Sequence, residues 1–526
     1  MINQTKRPKP VALLILDGWG IAPPSKSNAI DLANTPNFDY LTKNYLSLSL
    51  QASGEAVGLP WGERGNSEVG HSNIGAGKII YQTLPKINKT IWEGTFFKNE
   101  TFLKAIEHSK INKSKLHLIG LISYGGIHSY IDHLYALLEL AKKEKVGQIY
   151  IHAILDGRDT KYNEALNIIN HLEERLKMTV MGKIATLSGR FYAMDRDQYW
   201  ERTEKSYLAM AQGISEKKYE NSRAAIEDSY GKKIFDENFI PAVIIDKNNQ
   251  PIAKIEDDDA VIFFNFREDR ARQLTKAFVL SNFESFKRPR YLQNLFFVTF
   301  VGYEEGLPAK TAFYFKEGLT TLSEIISQNG LKQLHIAETE KYAHVTYFFN
   351  NGKEKPHPNE KWLMIPSPRV PAYDQKPEMS ARQIANKIIE EIEKDEYDFI
   401  LANFANLDMI GHTGNLQAAI KAAEAIDECV EIIVKTILNK KGVAILTADH
   451  GNAEETMNLF TGEIDKEHSV NPVPFILIGK KWKKAKEEDV NLAALTPSGV
   501  LADIAPTILK IMSLEKPKEM TGISLI

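Results

Sequence analysis

The segment GNSEVGHSNIGAGK, residues 65 to 78, sets Ser67 in a glycine-rich polar run of the kind that cradles phosphate. It matches neither of the usual patterns. No Gly-x-Ser-x-Gly surrounds the serine, and Ala76 and Gly77 stand where a phosphate loop needs Lys and Ser/Thr after Gly70 and Gly75. A polar loop without chemistry explains the composition as well, so a nucleophilic Ser67 needs an acceptor for its proton from elsewhere. Asp408 and His412, four residues apart in NLDMIGHTG, would share one face of a helical turn. Asp449 and His450 are adjacent in TADHGNAE, His468 lies in KEHSVNP, and Asp17 closes the apolar run VALLIL. Each pair alone reads as a solvated ion pair. Together they offer three carboxylates and three imidazoles in a chain with one cysteine, which suits Mn²⁺, Zn²⁺ or Fe²⁺ and disfavours a thiolate zinc site. A divalent ion on the Ser67 hydroxyl would lower its pKa as it does for bound water, and no histidine base would be needed. Two ions would let one carry the nucleophile while the other orients the substrate.

These residues dictate a domain plan. Asp17 and Ser67 lie near one end of the chain and the other ligands near the other, so a single site requires both ends to build one domain. The stretch between must leave and return as an insert. Short β-rich runs alternate with helical patterns, which predicts an α/β fold with largely parallel sheets. Expected strands are 11–16, 116–123, 148–155, 183–189, 260–266, 295–301, 398–404, 442–448 and 473–479, nearly continuous in apolar character as strands covered on both faces are. The periodicity predicts a helix over 415–439, with Leu416, Ala419, Ile420, Ala423, Ile426, Val430, Ile433, Val434 and Ile437 in one stripe. Cys429 falls inside it as a small buried residue. EIEKDEYD, 391–398, reads as a solvated helix end. Polar chemistry follows the ends of many strands: Asp17, DGRD at 156–159, Arg190, RED at 267–269, Asp408 and DHGN at 449–452. Ligands of open parallel sheets bind at those ends.

Arginines gather in the middle of the chain, at Arg158, Arg190, Arg196, Arg267 and Arg270. Their planar forks suit phosphate and carboxylate, although mixed-sign runs such as REDR also fit surface ion pairing. His128, in HSYIDH, reads equally as a structural histidine. The 526 residues, 43% hydrophobic and 25% charged, are ordinary globular composition for two or three domains. A net charge of -3 gives no electrostatic footprint for nucleic acid, and no partner of that kind is expected. Basic residues precede Val11, but the apolar run ends at Leu16, too short for a signal sequence, and no run is long enough to span a membrane. A cytoplasmic protein that does not bind membranes is expected.

LLILDGWG, GNSEVGHSNIGAG, DGRD, FFNFREDRARQL, AETEKYAHVTYFFN, NLDMIGHTG and TADHGNAE together resemble the signature blocks of the cofactor-independent phosphoglycerate mutases. The resemblance runs in order over nearly the whole chain, and its metal core is shared with the wider alkaline phosphatase-like superfamily. It implies an alkaline phosphatase-like α/β core at 1–81 and 316–526, with a second α/β, substrate-binding domain inserted at 82–315. It implies a monomer that interconverts 2-phosphoglycerate and 3-phosphoglycerate through a phosphoserine, with two Mn²⁺ or other divalent ions and no bisphosphoglycerate. Asp408, His412 and His468 would hold one ion. Asp17, Ser67, Asp449 and His450 would hold the other, Ser67 being also the nucleophile. His128, Arg158, Asp159, Arg190, Arg196, Arg267, Arg270 and Lys341 would bind the substrate. The tail before Val11 and residues 214–258 look less typical, and no function attaches to them. A metal-dependent phosphatase on the same core, and a metal- or phosphate-binding protein without turnover, remain alternatives. The cofactor-dependent mutases are disfavoured because their Arg-His-Gly motif occurs nowhere in the chain.

Overall fold

Val11–Leu16 is buried along its whole length because it lies inside an eight-stranded sheet, flanked in parallel by Phe399–Phe404 and Val443–Thr447. The computed structural model that shows this describes residues 7–179, 182–314, 319–459 and 461–526. The start of the polar tail and the expected boundary at 315/316 lie outside the described residues. The chain divides into two compact units, one of Met1–Pro85 with Glu317–Ile526 and one of Lys86–Lys316.

In the first unit the strand order is Glu360–Ile365, Gln333–Glu338, Phe399–Phe404, Val11–Leu16, Val443–Thr447, Val473–Ile478, Leu46–Gln51, Gly499–Val500. The first five run parallel, so their carboxyl ends share one edge of the sheet. Val473–Ile478 is antiparallel to both of its neighbours, which departs from the expected parallel pattern. Leu46–Gln51, Gln333–Glu338 and Glu360–Ile365 are strands that apolar runs did not reveal. In Gln333–Glu338 the run is broken by Gln333, His335 and Glu338, all fully buried. The core tolerates Gln333 and His335 because Gln333 donates to Ser323 O and His335 Nδ1 pairs with Val345 O.

The long helix is Leu416–Asn439. It begins one residue later than expected because Asn415 caps it, its Oδ1 accepting from Ala418 N at 3.2 Å. Ile426, Val430, Ile433 and Ile437 are buried on the predicted stripe, each stabilising the fold by about 1.5–3 kcal/mol. Cys429 is buried there too, which pushes its thiol up to about 11. The charge run at 391–398 does contain a helix end, that of Ala381–Glu393, but it is not wholly solvated. Glu391 is buried, with Lys387 and Lys394 each 3.0 Å from its Oε1.

The second unit has its own eight-stranded sheet, ordered Lys310–Thr311, Phe296–Thr299, Ala260–Phe263, Leu116–Ile122, Ile149–Leu155, Lys183–Gly189, Ala242–Ile244, Lys217–Tyr219. The first six are parallel, and Ala242–Ile244 pairs antiparallel with Lys183–Gly189. The strand expected at 260–266 ends at Phe263 because Asn265 replaces the backbone in the ladder, its Oδ1 accepting from Leu121 N at 2.9 Å. Among the described residues no helix is long and apolar enough to cross a membrane.

Candidate metal centre and arginine site

Ser67 is not in a loop. It is the first residue of the helix Ser67–Ala76, capped by Asn66, whose Oδ1 accepts from Val69 N at 2.9 Å. The glycines that suggested a phosphate loop serve close packing instead. A Cβ on Gly70 would lie 2.6 Å from Asp449 O, and one on Gly75 would lie 2.0 Å from Phe349 O. The helix can therefore press against the strand end that carries Asp449.

Adjacent parallel strands deliver the other groups to the same edge. Asp17 follows Val11–Leu16, Asp408 sits in the short helix Asn406–Gly411 after Phe399–Phe404, and Asp449 and His450 follow Val443–Thr447. Lys341 ends the single turn Thr339–Lys341 after Gln333–Glu338. Asp17, Asp449 and His450 are fully buried, and Ser67, Lys341 and Asp408 nearly so. Ser67 Oγ lies 2.9 Å from His450 Nε2, 3.4 Å from Asp17 Oδ1 and 2.7 Å from Lys341 Nζ. His450 Nε2 is 3.7 Å from Asp449 Oδ2. The Lys341 ammonium donates to Asp17 Oδ1 at 2.9 Å and to Asp408 Oδ2 at 2.5 Å. Asp408, His412 and His468 form a second group: Asp408 Oδ1 is 3.0 Å from His468 Nε2 and 3.2 Å from His412 Nε2. Backbone carbonyls aim these rings, since Lys466 O meets His412 Nδ1 at 2.7 Å and Gly65 O meets His468 Nδ1 at 2.8 Å. Both Nε2 atoms are left to face Asp408.

The electrostatics of this cluster are those of a cation site. Burial alone would push the Asp408 and Asp449 carboxyls up, yet Lys341 and then His412 and His468 hold Asp408 well below the carboxylate range, and His450 above all does so for Asp449. Burial disfavours charge on His450, but Asp449, Asp17 and Asp408 override it and hold the imidazolium up to about 10. Hydrogen bonding to Asp408 raises His412 against its partial burial. Both oxygens of Asp449 are buried without a well-directed hydrogen-bond donor, an expensive arrangement unless something else satisfies them. Three groups have donor atoms within 4.8 Å of one another: Asp408–His412–His468, Asp17–Asp408–His450 and Asp17–His71–Asp449. The residues present fit divalent cations with mixed nitrogen and oxygen ligation.

His71, Asn403 and Asn452 belong to this centre; Asn452 closes the DHGN run noted at a strand end, while His71 and Asn403 were not singled out from the sequence. Asn452 Nδ2 donates to Asp408 Oδ1 at 3.1 Å. Asn403 closes a predicted strand and His71 stands four residues after Ser67. Position was the only signal for Asn403, and Glu68, three residues before His71, does not point to the partners His71 finds in the fold.

In the second unit, the arginines likewise follow strand ends. His128 follows Leu116–Ile122, Arg158 and Asp159 follow Ile149–Leu155, Arg190 follows Lys183–Gly189, and Arg267 and Arg270 follow Ala260–Phe263. Arg190 is buried, and its Nη1 meets Asp156 Oδ1 at 2.6 Å and Asp159 Oδ2 at 2.7 Å. Asp156, not singled out beforehand, also accepts from Ser123 Oγ and from the backbone N–H groups of Arg158 and Asp159. Asp269 plays a similar part, 2.8 Å from Arg196, 3.3 Å from Arg267 and 3.6 Å from His128 Nδ1. Ion pairing is thus present alongside the cation cluster, as the mixed-sign runs allowed. Positive charge still dominates: Arg270 is disfavoured as a cation by partial burial and then by Arg196, Arg190 and Arg158. Burial and Arg190 lower His128 to about 4, so it is neutral near pH 7.

An α/β sheet edge holding buried carboxylates and imidazoles around a serine defines a metalloenzyme, and the metalloenzyme superfamily pattern matches residues 9–516. The 2,3-bisphosphoglycerate-independent phosphoglycerate mutase 1 of Methanosarcina barkeri is 48% identical over 526 residues, covering 100% of both chains. The enzyme of that name from Clostridium perfringens strain 13 is 50% identical over 98% of this chain and 99% of its own. Leishmania mexicana phosphoglycerate mutase, solved at low cobalt concentration, matches with a TM-score of 0.54 and 29% identity, covering 99% of this chain and 98% of that one. The chain belongs to the 2,3-bisphosphoglycerate-independent phosphoglycerate mutases, isomerases that interconvert 2-phosphoglycerate and 3-phosphoglycerate in glycolysis. It binds divalent metal and acts on a small-molecule substrate.

Proposed function

We propose that Ser67 takes the phosphoryl group from one hydroxyl of phosphoglycerate and returns it to the other. The surroundings of its hydroxyl carry this reading. The Oγ has His450 Nε2 at 2.9 Å and Lys341 Nζ at 2.7 Å, and neither can take its proton. Burial opposes charge on Lys341, but the carboxylates around it hold it as an ammonium. His450, assigned as a metal ligand, would have its Nε2 lone pair committed to the ion. Two Mn²⁺ ions, one held by Asp408, His412 and His468 and one by Asp17, Ser67, Asp449 and His450, would supply the missing acidity of the serine and screen the phosphoryl charge. Lys341 is assigned to a phosphoryl oxygen, its Nζ being already within reach of Oγ.

Arg158, Arg190, Arg196, Arg267 and Arg270, with His128 and Asp159, are assigned to the phosphoglycerate anion. Their forks suit its phosphate and carboxylate, and a glycerate kept bound while its phosphoryl group rests on Ser67 can turn and present its other hydroxyl. Water must be excluded meanwhile, since hydrolysis would make the enzyme a phosphatase. Each cluster is complete within one chain, which supports a monomer, and the glycolytic substrate supports the cytoplasm. Acid quenching with labelled phosphoglycerate should leave label on the Ser67 peptide, and free labelled glycerate should not enter product. Release of inorganic phosphate in place of isomerisation, or turnover by Ser67→Ala, would overturn the reading.

A further inference from the structure

Behind the Ser67 side of the metal centre lies a hydrogen-bonded chain with no place in the mechanism so far. Asn403 and His71 are both fully buried. Asn403 Nδ2 donates to Asp17 Oδ2 at 2.7 Å and lies 3.1 Å from His71 Nε2. Asp17 fixes the amide orientation, because the opposite one would set an oxygen against the carboxylate. His71 Nε2 must therefore accept, which leaves Nδ1 as the donor of the ring. That nitrogen lies 2.9 Å from Ser67 O and 3.1 Å from Asp449 Oδ2. The ring thus holds the backbone of the nucleophile one helical turn before it and faces one oxygen of the Asp449 carboxylate.

Three of the four residues assigned to the Ser67-side ion are therefore tied to one pair of side chains. Asp17 has its Oδ2 held from behind and its Oδ1 turned toward Ser67, Lys341 and His450. No hydrogen bond runs from Asn403 or His71 to Asp408, His412 or His468, whose own support comes from Asn452, Lys466 O and Gly65 O. The geometry points to Asn403 and His71 as positioning residues for one ion of the pair, setting the carboxylates of Asp17 and Asp449 and the backbone of Ser67 without touching substrate. The inference rests on the two-ion reading above.

Loss of such outer hydrogen bonds typically weakens metal binding by about 10–100-fold. The test is equilibrium dialysis of the metal-free full chain against Mn²⁺ alone, comparing wild type with Asn403→Leu, His71→Leu and His71→Asn. Wild type should take up two ions; uptake of fewer would remove the two-ion reading and this inference with it. The two leucine variants should keep one ion at wild-type affinity and bind the other about 10–100-fold more weakly. His71→Asn keeps an N–H near the Nδ1 position and should recover most of the lost affinity. At saturating Mn²⁺ the KM for phosphoglycerate should stay within about twofold of wild type. Thermal unfolding of the metal-free proteins separates stability from ligation. Unchanged affinity at both sites, equal weakening of both, or failure of His71→Asn to differ from His71→Leu would each overturn the proposal.

Discussion

The two clusters use the same architectural position with opposite sign. In the first unit, carboxyl ends of parallel strands present three buried carboxylates to a site suited to cations. In the second, they present arginines, four of them at least partly exposed, to a site suited to an anion. Burial differs for a physical reason. The three carboxylates and His450 can be desolvated because they are paired within the centre and by what they bind, while His412 and His468 keep part of their surface in water. Five guanidinium groups cannot all lose water without partners. Asp156 and Asp269 supply part of that partnership in the second unit. The buried centre is therefore expected to respond to protons and metal, and the arginine site to the substrate's charge.

Removing the Ser67 hydroxyl should have the largest effect. Ser67→Ala should lower kcat by roughly four orders of magnitude or more with the fold intact, since one hydroxyl and no packing is lost. Circular dichroism and a coupled assay without bisphosphoglycerate would check this. Arg267→Met should raise KM about 10–100-fold, corresponding to a charge-assisted bond of about 1.5–3 kcal/mol, and leave Mn²⁺ content unchanged. If metal content falls instead, the separation of the two clusters is wrong.

Protons provide the next contrast. Burial opposes it, but the carboxylates raise His450 to about 10, above the ordinary histidine value of about 6.5. The stability His450 adds to the metal-free protein is thus fully present below about 6.5 and lost as pH rises through about 10. Metal must displace that proton. Titration with Mn²⁺ near pH 8 should release about one proton at this histidine, and affinity should rise about tenfold per pH unit up to about 10. Calorimetry in buffers of different ionisation enthalpy reads the proton count. At the arginine site, burial and then Arg190 lower His128 to about 4, so anion binding should not follow this group across neutral pH. Exhaustive chelation should abolish turnover, with Mn²⁺ restoring more of it than Mg²⁺.

The smallest effect should come from Asn66→Ala, which removes the cap of the helix that begins at Ser67. It should cost about 1 kcal/mol in denaturant unfolding. A much larger loss of kcat than of stability would mean the cap also aims the nucleophile.

Each of the nine strands expected from apolar runs exists, because strands buried on both faces must be apolar throughout and so announce themselves. Asp17, Asp408, Asp449, His450 and His468 were legible for a related reason: buried charge is so costly that its appearance beside such runs implies a partner. Local sequence could not decide the state of residues 65–78. Gly70 and Gly75 read as loop residues until Asp449 and Phe349 are seen packed against the helix. Gln333–Glu338 was hidden likewise, since the partners that satisfy its buried polar groups lie in other elements. No local pattern reveals what His71 and Asn403 do, and their meaning exists only once Asp17, Ser67 and Asp449 surround them. Residue chemistry determined what this chain can bind. Which side chains face one another across hundreds of residues was decided by the parallel pairing of Val11–Leu16 with Phe399–Phe404 and Val443–Thr447, a long-range contact that no local preference encodes.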